Sequence, residues 1–204
     1  MKKNLQDIGG IIFDTFITIV IAIVVLNILG SILVSTALGA EEPPLTKDEE
    51  IIAITLMGEA RGEKQVGLYA VGCVIQQRSI ERKLTPAQVC LQNALNKKGV
   101  RVWQFSCWND KPYIETMKRL LEANTEQAKY AKMLARAMCK GWRLAQDFTG
   151  EANHYHANYV TPYWSKKFKP TKRIGNHIFY KLPWLDSNYH HNYKHEGNHR
   201  NRIR

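Results

Sequence analysis

Charge is absent from a long N-terminal part of the chain: no Asp, Glu, Lys or Arg occurs in residues 15–40. Ile, Val, Leu and Ala dominate there, and the apolar run 15–34 has the roughly 20 residues that a transmembrane helix needs. The missing charges exclude a purely cytosolic chain. Residues 1–40 are therefore predicted to form an N-terminal membrane anchor or signal segment.

Two fates of this segment remain open, and both export the rest of the chain. The apolar run has the length of a retained anchor, whereas the small residues within 35–40 suit cleavage by a signal peptidase. Lys2 and Lys3 precede the run, so the positive-inside rule places the N-terminus in the cytoplasm. We expect a single-pass protein of the cell membrane with residues 41–204 outside the cytoplasm, or a secreted protein if the segment is cleaved.

The four cysteines lack the C-x-x-C spacing of zinc ribbons and thioredoxin-like redox motifs, which argues against both. An exported domain permits disulfides, and four cysteines allow three complete pairings. A bond between Cys90 and Cys107 is the favoured prediction. Buried free thiols are the alternative.

Acidic residues are too few to balance the basic ones, and the net charge is +11. The first 40 residues, with two lysines and two aspartates, contribute none of this charge. So much positive charge on one small domain indicates a polyanionic partner. Nucleic acid, anionic lipid and bacterial wall polymers all fit this charge, which alone does not choose among them, although export argues against nucleic acid.

Internal repeats are also absent, and the exported part has the pattern of one α+β domain, mainly helical with a small β-sheet. Thr46 and Glu49 have capping-box spacing, and Thr85-Pro86-Ala87-Gln88 predicts a helix that extends to about Leu95. After Phe148, short pieces rich in aromatic and β-branched residues favour strands. The predicted units are a linker at 41–46, the domain at 47–184 and a basic, His-rich tail at 185–204.

The hexapeptide Gly58-Glu59-Ala60-Arg61-Gly62-Glu63 carries two carboxylates four positions apart. Its glycines argue against one unbroken helix, so Glu59 is expected to end one helix and Glu63 to begin the next. Apolar neighbours such as Met57 favour the protonated form of a carboxyl group, which suits a general acid. Helix capping, or an ion pair with Arg61, is the alternative.

A second group of residues, His154-Tyr155-His156 with Trp164, combines imidazole and aromatic rings. On a strand, His154 and His156 point to the same face and would supply two zinc ligands, with His177 or a glutamate as the third. The same aromatic faces suit a sugar-binding wall in a cleft. The residue types alone leave both alternatives open.

Further segments complete an ordered pattern along residues 48–181. They are Met57-Gly58-Glu59-Ala60-Arg61-Gly62-Glu63, Gln76-Gln77-Arg78, Gln104-Phe105-Ser106, Gly141-Trp142, 152–160, Pro162, Trp164 and 174–180. In content and order they resemble the SleB/CwlJ type of bacterial cell-wall hydrolases, which includes spore-cortex-lytic enzymes. The resemblance implies a lysozyme- or transglycosylase-like fold and an enzyme that cuts the glycan strand of peptidoglycan.

The resemblance also implies roles for individual residues, with Glu59 as the catalytic acid. The implied substrate-binding residues are Gln104, Phe105, Tyr155, His156, Trp164 and Tyr180. No metal ligand and no cofactor are expected. Met57 stands where relatives often carry an aromatic residue, and residues 96–103 depart from the family pattern near Gln104.

Cleavage between N-acetylmuramic acid and N-acetylglucosamine requires a proton on the glycosidic oxygen. A hydrolase also needs a second carboxylate, and Glu63 is the acid nearest to Glu59 in sequence, so both are candidate catalytic residues. A lytic transglycosylase needs one glutamate only and is the favoured mechanism. The alternatives are a zinc-dependent peptidoglycan amidase or endopeptidase that uses His154 and His156, and a non-catalytic, membrane-tethered wall-binding module.

Overall fold

The computed structural model describes Ile23, Val25, Leu26 and residues 42–96 and 98–183. The first three are the only described residues of the predicted membrane segment, 15–34, which otherwise lies outside the described residues. Within the described part of the chain, no helix is long and apolar enough to cross a membrane. The predicted tail, 185–204, also lies outside the described residues.

From residue 42 onward, the described chain is mainly helical, with two small antiparallel sheets. The α-helices are α1 (Lys47–Ala60), α2 (Lys64–Arg82), α3 (Pro86–Cys90), α4 (Lys111–Glu122) and α5 (Glu126–Cys139). Short 3₁₀ helices are η1 (Arg61–Glu63), η2 (Ser106–Asn109), η3 (Gln146–Thr149) and η4 (Tyr163–Lys167). The strands are β1 (Asn93–Leu95), β2 (Arg101–Trp103), β3 (His154–Ala157), β4 (Lys172–Ile174) and β5 (His177–Tyr180). The predicted mainly helical α+β class is confirmed.

Both predicted capping boxes form. The Thr46 N–H donates to the Glu49 carboxylate at 2.8 Å, and the Glu49 N–H donates to the Thr46 hydroxyl at 3.4 Å. Thr85 caps α3 in the same way. The prediction that this helix reaches Leu95 is wrong, because α3 ends at Cys90 and residues 93–95 pair with β2.

Helix α2 lies at the centre of the domain, with the other helices packed on one side and the three-stranded sheet on the other. Its residues Leu68, Val71 and Ile75 are fully buried in the main apolar cluster with α1, α4 and α5. Val74 packs instead against Phe179 of β5. Because α2 is covered on both sides, the sheet is held in a fixed position next to the helices.

The three-stranded sheet has the order β3–β5–β4, and both pairings are antiparallel. Tyr155 and Phe179 pair directly and face α2. His154 and His156 both pack against Trp164 on the opposite face, with ring centroids 5.6 Å away in each case. The prediction that these two histidines share one face is confirmed.

All four cysteines are free thiols, so the predicted bond between Cys90 and Cys107 is wrong. Cys73, Cys90 and Cys107 are buried, and Cys139 is exposed. Burial raises the pKa of Cys73 and of Cys90 to about 12, which keeps both thiols protonated. The buried cysteines therefore serve as small apolar core residues.

Candidate active site

Glu59 lies near the C-terminal end of α1, and three hydrogen-bond donors hold its carboxylate. Oε1 accepts from the Ser106 hydroxyl at 3.2 Å and from the Cys107 backbone N–H at 3.1 Å. Oε2 accepts from the Tyr155 hydroxyl at 2.8 Å. The donors come from η2 and β3, so two separate parts of the chain fix the orientation of one side chain.

Gly58 allows this arrangement because η2 packs directly against it. A Cβ atom at position 58 would lie 2.5 Å from the Cβ of Cys107, closer than real Cβ contacts come. The Tyr113 hydroxyl donates to the Gly58 carbonyl at 2.8 Å and holds α4 at the same point. The glycine before Glu59 thus lets the segment that carries Ser106 reach the carboxylate.

A cleft of about 380 Å³ opens next to Glu59, within the range of ligand sites. It combines the carboxylate with aromatic and polar side chains, as sugar-binding clefts do. Its lining residues are Gly58, Glu59, Arg78, Gln104, Phe105, Ser106, Tyr155, His156, Ala157, Tyr159 and His177. Four of the predicted substrate-binding residues, Gln104, Phe105, Tyr155 and His156, are therefore brought together around Glu59.

The other two predicted substrate-binding residues lie behind His156, outside the lining. The His156 Nε2 is 3.1 Å from the Tyr180 hydroxyl, and the two rings stack with centroids 5.3 Å apart. Trp164 packs edge-on against both rings. Trp164 and Tyr180 thus hold His156 in place at the edge of the cleft.

Glu63 lies outside the cleft lining, although it follows Glu59 closely in sequence. Its Oε2 accepts from the Asn176 backbone N–H at 2.9 Å, and its Oε1 accepts from the Asn176 side-chain amide at 2.8 Å. Two glycines make room for it: a Cβ at Gly67 would lie 2.1 Å from the Glu63 Cβ, and one at Gly175 would collide with Oε2. Glu63 therefore ties the start of α2 to the turn between β4 and β5.

Arg78 is a cleft residue to which the sequence patterns assigned no role. The residue is 7% exposed, and its Nε donates to the Asn153 carbonyl at 2.7 Å. The guanidinium lies 5.0 Å from the centroid of the Phe105 ring. The sequence pattern includes Arg78 only as part of the segment Gln76-Gln77-Arg78, and the available signal is a charged side chain soon after the apolar residues 73–75.

The profile of a family described as cell wall hydrolase matches residues 62–180, more than half of the chain. The chain belongs to the cell wall hydrolase family. It is an enzyme that acts on the peptidoglycan of the cell wall, outside the cytoplasm. The resemblance that the motifs indicated is confirmed at the level of the family.

Two solved structures are similar to this cell wall hydrolase. The catalytic domain of the germination-specific lytic transglycosylase SleB from Bacillus anthracis shares 25% sequence identity, covering 70% of this chain and 100% of that chain, with a TM-score of 0.47. The catalytic domain of the Bacillus cereus SleB protein shares 23% identity, covering 70% and 99%, with a TM-score of 0.44. No curated protein matches the chain.

The three histidines considered as zinc ligands do not converge in the cell wall hydrolase. His177 packs against Tyr155, with ring centroids 5.1 Å apart, on the face of the sheet opposite His154 and His156. No group of three His, Cys, Asp or Glu side chains among the described residues has the geometry to hold a metal ion. The alternation of side chains along paired strands separates these ligands.

Burial and the Glu59 charge set the protonation of the groups around the acid. They raise the pKa of the Tyr155 hydroxyl well above its ordinary value, so it remains a hydrogen-bond donor. The same two causes raise the pKa of the Cys107 thiol, which argues against Cys107 as a nucleophile. Burial lowers the pKa of His177, and this favours its neutral form.

Proposed function

We propose that this enzyme cleaves the glycan strand of peptidoglycan between N-acetylmuramic acid and N-acetylglucosamine. We assign it the mechanism of a lytic transglycosylase with Glu59 as general acid and then general base. The observation that carries this proposal is the position of the Glu59 carboxylate in the cleft, held by donors from two elements. Its neighbours in the lining are aromatic and amide side chains suited to sugars.

The reaction needs one carboxyl group in two protonation states. Protonated Glu59 donates its proton to the glycosidic oxygen while the bond from C1 of the muramic residue to that oxygen breaks, and the electron pair stays on the oxygen. The Glu59 carboxylate then accepts the proton of the C6 hydroxyl of the same residue as O6 bonds to C1. The products are a 1,6-anhydromuramic end and an N-acetylglucosamine end, and no water is consumed.

The donors around Glu59 match the charge that this reaction creates. When Glu59 gives up its proton, its carboxylate receives hydrogen bonds from the Tyr155 hydroxyl, the Ser106 hydroxyl and the Cys107 N–H. Donors that are already in position stabilise a developing charge without reorganisation. We therefore assign these groups to stabilisation of the Glu59 carboxylate.

The contacts of Glu63 favour the transglycosylase over the hydrolase. A retaining or inverting hydrolase needs a second carboxylate that faces the sugar or an attacking water. Both oxygens of Glu63 are engaged by Asn176, and Gly67 and Gly175 form a close-fitting slot around the side chain. We assign Glu63 the role of a positioning residue for the turn between β4 and β5, next to His177.

We expect Glu63→Gln to affect the stability of the fold more than the catalytic rate constant kcat. Loss of one charge-assisted hydrogen bond to Asn176 should lower the free energy of unfolding by about 1–2 kcal/mol, while kcat falls less than about 10-fold. Thermal unfolding and initial rates of soluble product release measure the two effects. Asn176→Ala is the matched variant, since it removes the same contact from the other side. A loss of kcat as large as that of Glu59→Gln, with unchanged unfolding, would make Glu63 a catalytic carboxylate instead.

Charge and the N-terminal segment suggest how the enzyme stays on its substrate. The chain carries a net charge of +11, and peptidoglycan stem peptides and wall polymers are anionic. We propose that residues 15–34 anchor the enzyme in the cell membrane, so that the domain acts on nearby wall. Release of residues 41–204 as a soluble fragment from cells that carry the full chain would contradict this anchor.

The chemistry is tested by identifying the products. Purified full-length enzyme is incubated with peptidoglycan, and the soluble fragments are weighed by mass spectrometry. Anhydromuramic ends are the expected result, because ring closure at C6 retains no water. Reducing muramic ends would establish a hydrolase, free stem peptides would establish an amidase or endopeptidase, and binding without products would leave only a wall-binding module.

A further inference from the structure

Arg78 is a buried cation in the cleft that the mechanism above does not use. Its Nε is satisfied by the Asn153 carbonyl, and its flat face rests on the Phe105 ring. Among the described residues, its Nη1 is buried without a hydrogen-bond partner. Buried donors of charged groups are nearly always paired, so an unpaired one in a ligand cleft indicates a group that a ligand completes.

The charges near Arg78 indicate which acceptor fits. Burial lowers the pKa of the Arg78 guanidinium, whereas the charge of nearby Glu59 favours its charged form. The guanidinium therefore balances the Glu59 carboxylate that forms when the acid gives up its proton. An anionic ligand group there would oppose the formation of that carboxylate, so a neutral carbonyl oxygen is the better acceptor.

The substrate of the proposed reaction carries such an oxygen next to the reacting carbon. The 2-acetamido group of a peptidoglycan sugar is attached to C2, and C1 is where the bond breaks. We propose that Arg78 Nη1 donates a hydrogen bond to the carbonyl oxygen of this 2-acetamido group, which makes Arg78 a specificity-determining residue for N-acetylated strands. This inference rests on the proposed function, because it places the sugar by the bond that Glu59 protonates.

An N-deacetylated strand is disfavoured for two reasons. It lacks the carbonyl oxygen, so Arg78 Nη1 stays buried and unpaired in the complex. It also carries an ammonium group in place of the amide, and this positive charge faces the guanidinium. The buried Arg78 cation thus favours N-acetylated strands and disfavours N-deacetylated ones.

The test compares two substrates and three full-length proteins. The substrates are glycan strands that are either fully N-acetylated or enzymatically N-deacetylated at the muramic residues. The value of kcat/KM is measured on both for wild type, Arg78→Gln and Arg119→Gln. Arg119→Gln is the matched control because it removes the same charge from an exposed position on α4. We expect wild type and Arg119→Gln to prefer acetylated strands by about 10- to 100-fold, the value of a hydrogen bond to a charged group. On acetylated strands, the kcat/KM of Arg78→Gln should fall below that of wild type by about the same 10- to 100-fold. Its preference for acetylated over deacetylated strands should be much smaller than that of wild type.

Several results would overturn the inference. If wild type has equal kcat/KM for the two substrates, the inference is overturned by wild-type data alone, even if Arg78→Gln fails to fold. An Arg78→Gln protein that folds and keeps the wild-type preference does so as well. If wild type cuts neither strand, the proposed function fails, and the affinities of wild type for the two strands then decide: preference for the acetylated strand supports the role of Arg78, and equal affinity overturns it.

Discussion

Glu59→Gln is expected to lower kcat on peptidoglycan by about 10²- to 10⁴-fold, the range that a positioned general acid and base contributes. The amide of glutamine cannot transfer the proton, but it has nearly the same shape. Its oxygen can still accept from Ser106 and Cys107, and its NH₂ can donate to the Tyr155 hydroxyl, which also accepts. The variant should therefore fold normally and still bind the wall.

Two measurements check this expectation, namely the rate of soluble muropeptide release and the midpoint of thermal unfolding. Glu122→Gln, at the exposed end of α4, removes the same charge away from the cleft and should behave as wild type. If Glu59→Gln kept more than a tenth of wild-type kcat, the assignment of Glu59 as the acid would be wrong. Loss of binding together with activity would instead indicate a disturbed cleft.

The second large effect is expected from Gly58→Ala, which adds one methyl group where η2 meets α1. The new Cβ would lie 2.5 Å from the Cys107 Cβ and 3.1 Å from its sulfur, so η2 must shift. Overpacking of this kind costs about 1–3 kcal/mol of stability. Displacement of Ser106 and Cys107 from Glu59 by about 1 Å should lower kcat about 10²-fold.

Gly62→Ala is the control for this prediction, because it lies in the same motif and its Cβ would meet no atom within 4 Å. Unfolding midpoints and product release rates are compared for the two variants. The double variant Gly58→Ala with Cys107→Gly removes the colliding atom and should recover part of the lost kcat. Indistinguishable behaviour of Gly58→Ala and Gly62→Ala would show that close packing at Gly58 is not required.

Local sequence signals were reliable where the forces that act are local. The capping boxes at Thr46 and Thr85 join residues three positions apart, and both form as predicted. The alternation of His154 and His156 follows from strand geometry alone. The predicted helix to Leu95 was wrong because the pairing of Leu95 with Arg101 and a hydrogen bond from Gln104 to Gln92 redirect the chain.

Spacing in the chain was a poor guide to distance in the fold. Glu59 and Glu63 are four positions apart, yet Glu59 lies in the cleft and Glu63 is bound to Asn176. Cys90 and Cys107 pack into the core as separate free thiols. The helix break between Glu59 and Glu63, predicted from the two glycines of the motif, is confirmed at η1, but the motif gave no sign that Asn176 would engage Glu63.

The sequence by itself determined the mainly helical class, the family and the identity of Glu59 as the candidate acid, because caps, glycines and motif order are local properties of the chain. Only the tertiary structure decided which groups surround that acid. Tyr155 is 96 positions from Glu59, and Asn176 is 113 positions from Glu63. Such contacts depend on how α1, η2 and the sheet pack together, so the cleft and the proposed role of Arg78 emerge only from the folded molecule.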